Sequence, residues 1–99
     1  MTRKEILSNA EKCVCGDRDE QYGSPENSFR VIAAFWTQYV AEKCAPLGAI
    51  IDIGAEDVAA MMVLFKMARV ATGQNKADNW IDAAGYAACG GEIGGEHEN

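Results

Sequence analysis

The chain has 99 residues, 48% of them hydrophobic and 24% charged, with 9 Lys and Arg against 15 Asp and Glu for a net charge of −6. That length makes one domain with an adequate but not generous core, and oligomerisation is a common way for so short a chain to add buried area. The composition argues against disorder along the whole chain, and the acidic balance, with no basic run of three, argues against polymeric nucleic acid as a partner.

Thr2 to about Val14 is expected to form the first helix. Ile6, Leu7, Ala10 and Cys13/Val14 recur at helical spacing, and Thr2 with Glu5 has the form of a capping box. Such an amphipathic start is not an apolar signal core, and nothing approaches the ~20 apolar residues of a membrane span. The expected location is therefore the cytoplasm, where the four cysteines stay reduced. Cys13 and Cys15 make a C-x-C pair, and Cys44 and Cys89 stand alone. This is not the paired-knuckle pattern of structural zinc.

Gly16 to Pro25 is expected to be a loop, and Ser24-Pro25-Glu26 is a helix start, with Ser as cap, Pro at the first position and an acid in the first turn. The second helix is expected to reach about Cys44, with Phe29, Ile32, Ala33, Trp36, Tyr39 and Val40 as its apolar stripe. Ala45 to Gly54 is a connector in which Ile50-Ile51-Asp52-Ile53 has no partner strand. The third helix, Ala55 to Thr72, carries Glu56 and Asp57 at its positive end and Lys66 and Arg69 toward its negative end. Its apolar run from Ala59 to Phe65 makes it the central helix or a subunit interface. A fourth helix is expected to start at Asn75 or Asp78 and run through Trp80, Ile81, Ala84 and Ala88. The glycine-rich end from Gly90 is expected to fray, which gives a helical domain over residues 1–93 and a flexible tail over 94–99. The fold class is all-α, a four-helix single domain expected to be oligomeric.

Polar chemistry gathers in three places. The first is Gly16-Asp17-Arg18-Asp19-Glu20-Gln21-Tyr22-Gly23-Ser24-Pro25, which leads into a helix N-terminus, a setting suited to an anion or a metal–anion pair. Arg18 there suits a phosphate, and Tyr22 suits a base or ribose. The competing reading is a solvated loop whose arginine pairs with Asp17 or Asp19. The second is Lys66 and Arg69, three apart on one helical face, which either reach out to water or face a polar pocket. The third is Asp78 and Asp82, four apart, which suit a divalent cation or neutralise Lys66 and Arg69 across the helix contact. Both readings of the aspartates hold together if the ion pairs line a pocket. No Walker-type loop occurs. The sole histidine, His97, lies in the expected tail, so any hydrolysis must be metal-assisted.

Gly16-Asp17-Arg18 with Tyr22-Gly23-Ser24-Pro25, Asn27-Ser28-Phe29, Asp57 to Met62 leading to Lys66-Met67-Ala68-Arg69, and Asp78 to Ala87 together resemble a family of small phage and prophage proteins of unknown function. The layout is also similar to nucleotide-modification-associated domains and, more distantly, to MazG-like all-α nucleotide pyrophosphohydrolases. The resemblance implies a phage-encoded oligomer in the host cytoplasm whose ligand residues are Arg18, Tyr22, Gly23, Asn27, Lys66, Arg69, Asp78 and Asp82. It implies nucleotide binding without a required cofactor, in a role that sequesters a signalling nucleotide, cyclic ones included, from host defence. Two alternatives stand beside it. One is a Mg-dependent pyrophosphohydrolase holding its ion on Asp78, Asp82, Glu26 or Glu56, although the second helix lacks the family's Glu-x-x-Glu pair. The other is an acidic inhibitor of a host protein.

Overall fold

The computed structural model describes residues 1–16, 24–73 and 76–96. Four α-helices carry these residues: α1 (Arg3–Cys15), α2 (Pro25–Cys44), α3 (Ala55–Ala71) and α4 (Ala77–Glu96), with a 3₁₀ turn over Ala45–Leu47. No strand occurs among the described residues.

Local chemistry explains most of the boundaries. Thr2 Oγ1 accepts the Glu5 N–H at 3.2 Å and starts α1. Ser24 Oγ accepts the Asn27 N–H at 3.3 Å, with Pro25 at the first position of α2. At α3 the cap is reversed: the Gly54 N–H donates to Asp57 Oδ2 at 2.9 Å. The chain leaves α3 through Gly73 at φ 89°, a conformation that favours glycine. The Ile50–Ile53 stretch belongs to no helix or strand, and Ile50 is almost fully exposed. Its far end is fastened to α2 by Thr37, whose hydroxyl accepts the Ile53 N–H at 3.1 Å and donates to the Ile53 carbonyl at 3.3 Å.

Helices α3 and α4 form an antiparallel hairpin. Lys66 meets Asp82, Arg69 meets Asn79, Gly90 abuts Ala59 and Gly94 abuts Glu56. Along this register each step up α3 is matched by a step down α4. The N-terminal half of α3 also takes α2, so the core joins Phe29 and Ala33 of α2, Val58 and Ala59 of α3, and Cys89 and Ile93 of α4. Helix α1 packs on the other side of α4, with Val14 against Gly85.

The end of α4 departs from expectation. Gly90 to Glu96 do not fray; they continue the helix, and Ile93 is buried in the core. The described part of the expected 94–99 tail, Gly94 to Glu96, is therefore helix. Glycine weakens an isolated helix by about 1 kcal/mol per residue, but here it also permits contact. A Cβ on Gly90 would lie 2.9 Å from the Ala59 Cβ, so its absence lets α3 and α4 approach closely. Helix α3 is central as expected. Its Val58 and Ala59 are sealed, whereas Met61, Leu64 and Phe65 remain open on the side that neither α2 nor α4 covers.

Candidate functional site

The polar residues singled out on α3 and α4 come together because the hairpin register places them opposite one another. Lys66 Nζ sits 3.0 Å from Asp82 Oδ2, with the two side chains 15% and 23% exposed. One turn nearer the bend, Arg69 Nε donates to Asn79 Oδ1 at 3.3 Å. Asn79 is only 4% exposed, and its amide oxygen gives the guanidinium an acceptor inside the contact. The Phe65 ring lies beneath both cations, 5.3 Å from Lys66 Nζ and 5.9 Å from Arg69 Cζ, within cation–π range. Neutralisation of Lys66 by Asp82 across the helix contact is thus present. Arg69 takes Asn79 in the same contact.

The second part of the expectation, that such a pair lines a pocket, also has a structural counterpart. A cleft of ≈ 470 Å³ opens between α1 and α4, lined by Met1, Asn9, Lys12, Cys13, Asp78, Ile81 and Asp82. Asp82 belongs to both features: it holds Lys66 and borders the cleft. Asp78, one turn earlier and exposed, borders the cleft beside it. The volume falls in the usual range for small-molecule sites.

Sequence reasoning missed the α1 wall of this cleft. Asn9, Lys12 and Cys13 share one helical face by their i, i+3, i+4 spacing, but nothing in α1 distinguished that polar face from an ordinary solvated one. Nor does the sequence single out Asn79, next to Asp78, as the buried acceptor for Arg69. Asn27 is not in the cleft lining. It is exposed, and its Oδ1 accepts from Arg30 Nη2 at 3.0 Å within α2 itself. Arg18, Tyr22 and Gly23 lie outside the described residues, as do Asp17, Asp19, Glu20 and His97. The Phe29 ring on α2 lies 6.1 Å from Tyr86, one turn beyond Asp82 on α4.

Among the described residues no three Asp, Glu, Cys or His side chains converge as a metal would need. Asp78 and Asp82 are the carboxylates available at the cleft, and one oxygen of Asp82 already holds Lys66. A magnesium cluster of the two-helix carboxylate kind therefore does not fit the described residues. Nor is any helix there long and apolar enough to cross a membrane. Cys13 and Cys44 are half-buried, Cys15 is exposed, Cys89 is buried, and no disulfide joins them.

The described residues thus form a helical domain with a polar hairpin contact and an adjoining cleft. Over residues 5–94 the chain matches a domain of unknown function, DUF6378, and it belongs to that family. It is similar to the Gene 55 protein of Mycobacterium phage D29, 38% identical over 87 residues, covering 87% of this chain and 51% of the relative. It is also similar to the Gene 55 protein of Mycobacterium phage L5, 34% identical over 82 residues, covering 83% of this chain and 47% of the relative. The chain spans about half the length of these curated relatives, and the family includes phage proteins. No solved structure matches it.

Proposed function

We propose that this DUF6378 domain binds a small nucleotide in the cleft between α1 and α4. The observation that carries the reading is Asp82, a half-buried carboxylate that fixes Lys66 on one side and borders a nucleotide-sized cleft on the other. In this reading Lys12 supplies a cation to the phosphate, and Asn9 and Asp78 accept hydrogen bonds from the amino edge of a base. Lys66 and Arg69 contribute positive potential from behind the wall, oriented by Asp82 and Asn79. Arg18, Tyr22 and Gly23, outside the described residues, belong to this reading through their residue chemistry alone, a cation for phosphate and an aromatic for a base. No cofactor is required.

The occurrence of relatives in phages accords with a sequestering role in the host cytoplasm, in which a host signalling nucleotide is held away from its receptor. The test is a thermal-shift and calorimetric screen of mono-, tri- and cyclic dinucleotides, followed by chromatography of the recovered ligand. A saturable rise in Tm for one class, with intact ligand recovered and binding weakened at least tenfold in Lys12→Met and Asp78→Asn, is expected. Pyrophosphate release in the presence of Mg²⁺ would replace sequestration with hydrolysis. No shift with any nucleotide, alongside a salt-sensitive complex with a host protein, would replace it with an acidic interaction module.

A further inference from the structure

Helix α3 leaves an apolar side uncovered. Ala60, Met61, Leu64, Phe65 and Ala68 follow one another at helical spacing along its exposed face, and no polar side chain interrupts them. Leu64 is 68% exposed, which is unusual for a leucine at the middle of a central helix. Helix α4 covers the opposite side, and α2 joins α3 at the core around Val58 and Ala59.

The dimensions of the whole molecule agree. A compact monomer of this mass exposes about 5,500 Å², whereas this chain of 10.7 kDa exposes 7032 Å². Its radius of gyration is 15.1 Å, against about 13 Å for a compact domain of this length. The surplus of roughly 1,500 Å² exceeds the ~800 Å² that each partner buries in a standard stable interface.

We infer that the open face of α3 is the seam of a homodimer in which two copies of α3 pack antiparallel about a two-fold axis near Leu64. A second copy is the occupant that fits, because an isologous interface needs a face complementary to itself. An apolar stripe with an acid, Asp57, at one end matches itself better when the helices run in opposite directions. Antiparallel packing sets the two helix dipoles against each other and puts the exposed Asp57 of each copy at opposite ends of the seam. Parallel packing would set like charges side by side. The seam also covers Phe65, whose ring lies beneath Lys66 and Arg69, so dimerisation removes water from the back of the candidate site. The inference rests on area and patterning and stands whether or not a nucleotide binds.

Light scattering on the full chain over a hundredfold range of micromolar concentrations tests it. Twice the chain mass is expected, with Leu64→Asp weakening association on the order of 100-fold, as a charge at an interface centre does. Leu7→Asp, on the exposed side of α1, should leave the dimer intact. Should Leu64→Asp lose its helical circular dichroism, Leu64→Cys supplies the second reading: mild oxidation must link two copies through position 64 beyond the wild-type background. A monomer throughout the range, or an assembly that survives a folded Leu64→Asp, overturns the proposal, as does failure of the cysteine pair to link.

Discussion

Lys66 interrupts an apolar helix and would be costly there without a partner. Its bond to Asp82 is sheltered enough to matter, because both side chains are more than three-quarters buried. Lys66→Met leaves an uncompensated half-buried carboxylate and is expected to destabilise the fold by about 1–3 kcal/mol. Asp82→Asn should cost less, since the amide still accepts from the ammonium. In a urea-denaturation double-mutant cycle the pair should show coupling beyond the sum of the single changes. Additivity would mean that the pair is solvated and carries little. Spacing made Lys66 and Asp82 candidates in the sequence. Their meeting depended on the hairpin register, which no residue within either helix encodes.

At the scale of the elements, three helix starts were legible because caps act within a turn: Thr2, Ser24-Pro25 and the acids after Gly54 each act on their own N–H groups. Helix α4 was legible only in its first half. Its glycines look like a fraying end to any argument from propensity, and what holds them helical is remote in sequence, namely Ala59, Glu56 and the core around Ile93. The glycines should therefore divide by position. Gly91→Ala, where an added Cβ meets nothing within 4 Å, is expected to stabilise the protein by about 0.5–1 kcal/mol through helix propensity. Gly90→Ala, facing Ala59 at 2.9 Å, is expected to destabilise it by about 1–3 kcal/mol through overpacking. Thermal midpoints of the two variants should move in opposite directions. A parallel shift would mean that α3 and α4 do not pack as closely as described.

For the whole molecule, the all-α class and helix order followed from periodicity, whereas the spatial arrangement did not. The sequence marked α3 as central because it is apolar nearly all round. The hairpin with α4 and the overlap with α2 account for two of its sides, and the third, with Met61, Leu64 and Phe65, stays open. The candidate site was legible by half. Residues on α3 and α4 were named in advance, but the α1 wall came from a helix whose polar face is unremarkable by itself.

Helix α1 is attached chiefly through α4, and Ala10 is its sole fully buried residue. Such an element opens on its own, at a free-energy cost below that of global unfolding. Its amide protons should therefore exchange with deuterium faster than those of α3 and the middle of α4. The cleft exists only while α1 is docked, so a ligand bound there must slow that opening. At a free concentration one hundred times Kd, exchange along α1 should fall about 100-fold, while amides governed by openings that leave the cleft intact change little. A nucleotide that raised Tm without protecting α1 would be bound elsewhere, which makes the exchange pattern of a single helix a map of where the ligand sits.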